Sequence, residues 1–177
     1  MPLFVGFLRG INVGGNNLLP MSALRAACES AGLTDVRTLL QSGNVIFRST
    51  SRSPARLIEQ ALDLDVKVIV RTVDELQDVI ARNPFGSDRN PKRLIVTFLD
   101  GTPSKDAQAA LLAAHKGPEE IHFSGRELFL YYGEDMGRSK LTNALIERKL
   151  GVSGTARNWN TVTKMLTQSR TAPALPA

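Results

Sequence analysis

Along the first half of the chain the apolar positions change period several times, and each change marks an element. Val5 and Phe7 alternate with Gly6 and Leu8, so residues 3–9 are predicted to form a strand with apolar groups on both faces. A helix is expected from about Pro20 to Ala31, where Leu24, Ala27, Cys28 and Ala31 recur at i, i+3, i+4 and i+7 and Gly32 stops it. "VRTLLQSGNVIFRS" reads as a hairpin whose two β-rich runs turn through Ser42-Gly43, a pair that readily takes positive φ. A helix from about Pro54 to Leu62 and the strand "VKVIVR" at 66–71 complete a β-α-β-β-α-β order, that of a ferredoxin-like unit.

The second half begins with a helix near Asp74–Arg82, with Thr72 as its N-cap. The strand "RLIVTFLD" (93–100), a helix at about 103–115 and the hairpin "EIHFSGRELFLYY" (120–132) follow. Two helices, at about 139–150 and 158–167, are expected to finish the fold. The tail "TAPALPA" has no amphipathic period and is expected to be flexible. The two halves echo each other in order. Phe7-Leu8-Arg9-Gly10 answers Phe98-Leu99-Asp100-Gly101, Pro20 answers Pro103, and Ser42-Gly43 answers Ser124-Gly125. The fold class expected is therefore α+β, two related halves, divided as 3–72, 73–168 and a flexible 169–177.

Topology then makes a spatial prediction. In a split β-α-β unit the first two strands run parallel, with the third antiparallel between them. The end of the first strand and the turn between strands two and three must share one edge of the sheet. "GINVGGNN" should lie beside "QSGN", bringing Asn12, Asn16, Asn17, Gln41, Ser42 and Asn44 together with Arg9. Gly14-Gly15-Asn16-Asn17 can turn successive backbone N–H groups toward an anion. The helix opening near Pro20 adds the positive end of its dipole. The glycine spacing is not that of a dinucleotide or nucleoside-triphosphate loop.

Composition narrows the class. The 177 residues are 42% apolar and 22% charged, ordinary for a globular protein, and no apolar run approaches the roughly 20 residues that span a bilayer. The N-terminus lacks the pattern of a secretory leader, and a single cysteine excludes an intramolecular disulfide framework, so a cytoplasmic location is expected. The net charge of +5 is uneven. Residues 1–86 carry +1, the rest +4, and residues 137–177 alone carry +6. That segment can attract phosphate or nucleic acid, although a solvated basic face on two helices is the simpler reading, because charge runs usually only solubilise.

Other constellations carry less. In "GEDMGRSKL" (133–141) Ser139 is read as a helix cap, with Arg138 and Lys140 as anion contacts. In "GTARNWNTVTKML" (154–166) Trp159, Val162 and Leu166 share a helical stripe, which makes the tryptophan a packing residue; Asn158 is a good cap, and Arg157, Asn160, Thr161 and Lys164 remain polar. Arg157 can hold a phosphate bidentately. His115 and His122 are the only histidines, neither in a metal-ligand spacing, and Cys28 falls on an apolar helix face. Asp100, Glu134 and Asp135 are acids at element ends. Groups of the rim's kind hold an anion more readily than they move protons near neutral pH.

"LRGINVGGNNLLPM", "VRTLLQSGNVIF" and "TARNWNTVTKML" together resemble the bacterial family catalogued as domain of unknown function 1697, over residues 3 to about 168. The resemblance implies two related subdomains in an intertwined duplication, and no activity. Its positions here are Arg9, Gly10, Asn12, Gly14, Gly15, Gln41, Ser42, Gly43, Asn44, Ser139, Lys140, Arg157, Asn158, Trp159 and Asn160. Asn16 stands where that family often has a basic residue.

The functional expectation is binding of an anionic, phosphate-containing small molecule or a nucleic acid. The site residues are Arg9, Asn12, Gly14, Gly15, Asn16, Gln41, Ser42, Asn44, Lys140, Arg157 and Asn160. No metal, cofactor or membrane is implied, and the oligomeric state stays open. The alternatives are a metal-free enzyme acting on such a ligand and a protein-interaction domain.

Overall fold

The opening strand, β1 (Leu3–Leu8), lies between two antiparallel neighbours in a computed structural model that describes residues 1–133 and 136–171. Its following elements are α1 (Met21–Ser30), β2 (Thr34–Leu39), β3 (Asn44–Arg48), α2 (Pro54–Ala61) and β4 (Val68–Thr72). The sheet order is β2-β3-β1-β4 with every neighbour antiparallel, so β1 and β2 are parallel with β3 between them.

One face of this sheet packs on Leu24, Cys28 and Ile58 from α1 and α2, with Leu8, Val45, Phe47 and Val68 facing them in the core. Gly6 is required there, since a Cβ would come 2.9 Å from Val45 Cγ1. Val5, Phe7, Ile46, Ile69 and Arg71, on the alternate positions of the same strands, are also buried. Local chemistry explains the boundaries. After α1, Gly32 (φ 83°) and Leu33 donate to Glu29 and Cys28 carbonyls, and Leu33 packs into the core with Cys28, which is a Schellman stop. Thr72 and Glu75 form a reciprocal capping box, at 3.1 and 2.8 Å, that starts α3 (Val73–Ala81).

The second sheet repeats the first. β5 (Leu94–Leu99), α4 (Lys105–Ala114), β6 (Glu120–Ser124), β7 (Glu127–Tyr131), α5 (Asn143–Leu150) and β8 (Gly154–Asn158) give the order β6-β7-β5-β8, again wholly antiparallel. Leu99, Leu111, Leu128, Leu130, Ile146 and Leu150 form its core. The final helix is α6 (Trp159–Arg170). The architecture is thus mixed α+β, with two four-stranded antiparallel sheets and six α-helices among the described residues. None of those helices is long and apolar enough to cross a membrane.

Three expectations need correction. The sequence pattern assigns no strand to residues 154–158 and starts a helix at about 158; pairing with β5 makes β8 a strand, and Gly154 fits where a Cβ would fall 2.9 Å from Leu99 Cδ2. The helix expected from 139 begins at Asn143, capped by Thr142 Oγ1 accepting from Leu145 N at 3.2 Å, so Ser139 is not its cap. The expected tail is helical at its start, since Ser169 and Arg170 belong to α6. Residues 172–177, Glu134 and Asp135 lie outside the described residues.

The chain forms two compact units, Met1–Asp78 with the residues from Lys164 onward, and Val79–Thr163. This differs from the expected break at 72/73: α3 and α6 each begin in one unit and end in the other. Within the first unit, Arg37 of β2 holds the returning end of α6, its Nη1 donating to the Gln168 and Thr171 carbonyls at 2.6 and 3.0 Å. A cation there also complements the negative end of the helix dipole.

Candidate functional site

The loop after β1 and the turn between β2 and β3 do meet. Leu8 N donates to Gly43 O at 2.8 Å, and Asn12 Nδ2 donates to Gln41 O at 2.7 Å. Gly43 (φ 79°) lies so near the loop that a Cβ would fall 2.5 Å from Ile11 Cδ1. Residues 12–17 form a miniature hairpin. Asn12 N donates to Asn17 O at 3.1 Å and Asn16 N to Val13 O at 3.0 Å. Gly14 and Gly15 turn it, with φ 57° and 77°, as a primed two-residue turn requires.

The asparagine side chains have a different occupation from a ligand-facing one. Asn12 Nδ2 also donates to Leu19 O at 2.9 Å, while its Oδ1 accepts from Leu19 N at 2.8 Å. One residue, itself at φ 52°, therefore straps both ends of the loop and ties them to the neighbouring turn. Asn17 Nδ2 donates to Gly10 O at 3.2 Å. Buried Asn44 donates to Leu39 O at 2.8 Å and to Ser42 Oγ at 3.0 Å, closing the hairpin turn from inside. Backbone carbonyls in a tight turn are the nearest acceptors, and a half-buried amide takes them first. Arg9, Gly14, Gly15, Asn16, Gln41 and Ser42 are exposed beside these clasps. α1 starts next to the loop with Pro20 at the N-cap and no side-chain cap.

The remaining expected residues belong to the second unit. Arg157, on β8 opposite Val96, is buried and donates to Thr155 Oγ1 at 2.7 Å and to Ala156 O at 2.9 Å. Burial pushes its pKa down to about 10, so it stays cationic at neutral pH. Asn158 caps α6, its Oδ1 accepting from Asn160 N at 3.0 Å. Trp159 is half-buried rather than core; with Asn160 and Arg89 it lines a hollow of about 490 Å³. Arg89 lies 4.7 Å over the Tyr131 ring and pairs with Glu120 at 2.8 Å.

Lys140 lines a separate hollow of about 640 Å³ in the same unit, and there the sequence reading missed the central group. Glu119 is buried beneath it, with Ser139 Oγ donating to Glu119 Oε1 and His115 Nε2 lying 3.4 Å from Oε2. Burial pushes the Glu119 carboxyl up, but the Ser139 hydroxyl, its own backbone N–H and the His115 charge pull it further down, so it sits below the ordinary value. Tyr132, buried beside it, has its phenol pushed up to about 12 by burial and by the Glu119 charge, and donates to Leu141 O at 3.0 Å. The only sequence signal was the i, i+4 pair His115 and Glu119, which falls just beyond α4 and carries no helical meaning there. Among the described residues no group of three or more His, Cys, Asp or Glu is placed to hold a metal ion.

With this geometry in hand, comparisons place the fold. No curated protein matches the chain. The structure of a conserved bacterial protein from Streptococcus pneumoniae is similar with a TM-score of 0.74, over 97% of this chain and 99% of that one, at 20% identity. A likeness at that identity concerns the fold alone. The family model described as protein of unknown function, DUF1697, matches residues 1–129, which takes in the clasped loop, the hairpin turn and the start of the second sheet, and the chain belongs to that family.

Proposed function

We propose that the chain is a cytoplasmic binding module for a phosphate-bearing ligand, a small molecule or a nucleic acid, seated on the rim of the first unit. The observation that carries this reading is the Asn12 clasp. Its three bonds fix a glycine turn, the β2–β3 turn and the uncapped start of α1 on one sheet edge. A site already held in shape loses less entropy on binding. Arg9, Gly14, Gly15, Asn16, Gln41 and Ser42 are the residues that would face the ligand, with Asn12 and Asn44 positioning them. Lys140, Arg157 and Asn160 lie in the second unit and the reading does not require them. The shared strand order of the two sheets supports a ferredoxin-like reading of each half and a duplication.

An enzyme is less well supported. Segments 9–17 and 41–44 contain no Asp, Glu, His, Cys, Lys or Tyr to move a proton. An interaction surface is the second reading, favoured by Val13 within these segments and by Leu18 and Leu40 directly flanking them, exposed to 64%, 70% and 48%.

The test is an amide-shift titration with inorganic phosphate, a nucleoside monophosphate and a short DNA duplex. Saturable shifts at Gly14, Gly15, Asn16, Gln41 and Ser42, weakened by Arg9→Ala, are expected. A log–log salt slope near −0.9 per neutralised phosphate would select nucleic acid. Silence at these amides with all three probes refutes the proposal. A partner complex lost in Leu18→Ser but kept in Arg9→Ala would favour the interaction surface instead.

A further inference from the structure

The residues around Trp159, which the rim reading leaves unused, border the hollow of about 490 Å³ that lies wholly within the second unit. Trp159, Asn160 and Thr163 all line it, in keeping with their spacing on α6, where residues three and four apart share a face. Asn158 fixes this start of the helix. Its Nδ2 donates to the Pro91 and Lys92 carbonyls at 3.2 and 3.0 Å, and its Oδ1 accepts from Asn160 N at 3.0 Å. The apolar wall is Trp159 with Ile80, Pro91 and Leu94. Trp159 is only half-buried, so aromatic surface on that wall stays open to water.

The polar groups of the lining divide into spent and unspent. Asn83 is used by its own turn, accepting from Phe85 N at 3.0 Å and donating to Gly86 O at 3.3 Å. Thr163 Oγ1 donates to the Trp159 and Asn160 carbonyls. Arg89, the one charged side chain among the described lining residues, gives two bonds to Glu120, at 2.8 and 3.2 Å, and lies over the Tyr131 ring. The Asn160 carboxamide and the Ser87 hydroxyl, both exposed, make no hydrogen bond among the described residues. A ligand that answers this lining is flat enough to cover an indole, uncharged, and carries a donor and an acceptor side by side on one edge. Adenine has that edge: an amide oxygen accepts from its N6 amino group while the amide nitrogen donates to N7. Stacking of the base on the aromatic ring supplies affinity. We propose that the hollow beside Trp159 binds an adenine base, stacked on the indole and read along its N6/N7 edge by Asn160. Ser87 is the hydroxyl left for an attached ribose. The hollow falls within the volume range of small-molecule sites. Nothing in this assignment rests on the rim of the first unit.

The experiment titrates the full chain with adenosine, adenosine 5′-monophosphate, inosine and ribose 5-phosphate. It is read by calorimetry, by quenching of Trp159, the sole tryptophan, and by amide shifts at Gly86, Ser87 and Asn160. Saturable quenching by adenosine, with shifts at those amides, is expected. Inosine presents two acceptors on the same edge and should bind about tenfold more weakly. The lining cation is already paired, so the monophosphate should bind within about threefold of adenosine. Asn160→Ala is an exposed change at a position whose N–H keeps its Asn158 cap. It should weaken adenosine about tenfold and inosine by about threefold or less, narrowing a difference that a merely structural role would leave intact. Trp159→Leu should weaken both about tenfold or more, read by calorimetry. If a melting curve shows that variant unfolded, Asn160→Ala and the inosine comparison decide alone. Unchanged adenosine affinity in Asn160→Ala, inosine binding as tightly as adenosine, or ribose 5-phosphate competing with adenosine overturns the assignment. So does the absence of quenching and shifts with adenosine.

Discussion

Replacing Asn12 by alanine removes three hydrogen bonds at once, those to Leu19 O, to Gln41 O and from Leu19 N, at 2.9, 2.7 and 2.8 Å. A net contribution of about 1 kcal/mol per bond gives about 3 kcal/mol. The site is only half-buried, so water re-solvates part of what is released and lowers this to about 2 kcal/mol. Alanine must also hold a φ of 52°, which asparagine tolerates and alanine resists by about 1 kcal/mol. The expected loss is therefore about 3 kcal/mol, or a Tm lower by about 6–12 °C for a chain of this length. Two companions separate the contributions. Asn12→Gly relieves the backbone cost and should lose only about 2 kcal/mol. Asn12→Asp keeps size and the acceptor for Leu19 N, but sets a carboxylate oxygen against two carbonyls, and should be as harmful as alanine. The sole tryptophan, Trp159, lies in the second unit, so urea melts should be followed by far-UV circular dichroism and by amide exchange at Leu19 rather than by fluorescence. Alanine and aspartate variants both within about 0.5 kcal/mol of wild type would refute the clasp, because three bonds of this geometry cannot all be worthless.

Other outcomes follow from single positions. Gly43→Ala places a Cβ 2.5 Å from Ile11 Cδ1 at a φ of 79° and should destabilise by about 3 kcal/mol; a melt within about 1 kcal/mol of wild type would contradict the packing. Leu40 is exposed at a φ of 60°, so Leu40→Gly should be neutral or stabilising by up to about 1 kcal/mol, and a clear drop in Tm would show hidden packing. Glu119 sits below its ordinary carboxylate value of 4.5, so its folded form contributes stability that is complete above that pH and lost as pH falls through the lower folded value; acid titration of Glu119→Gln should show a shallower loss than wild type. The Cys28 thiol is pushed up to about 12, first by burial and then by the Glu29 charge, so a disulfide reagent should label it only as fast as the first unit opens.

The elements with their own punctuation were legible from residues alone. Leu24, Cys28 and Gly32 specify α1 and its stop, Thr72 specifies the start of α3, and Ser42-Gly43 specifies a turn, because each relies on groups a few residues apart. Strand order then required the β1 loop and the β2–β3 turn to share an edge, and they do. Long-range pairing decided the rest. "GTARN" is a strand only because β5 offers it a ladder, a partner some sixty residues away that no local pattern announces. Asn12 looked like a ligand amide, yet the Gln41 carbonyl that it satisfies is brought to it only once the β2–β3 turn has folded back beside the loop. Glu119, His115 and Ser139 meet in a hollow that side chains from three separate segments enclose. Local residue chemistry thus determined which elements form and where they stop; tertiary packing decided which polar groups are consumed in holding the fold and which stay exposed beside them.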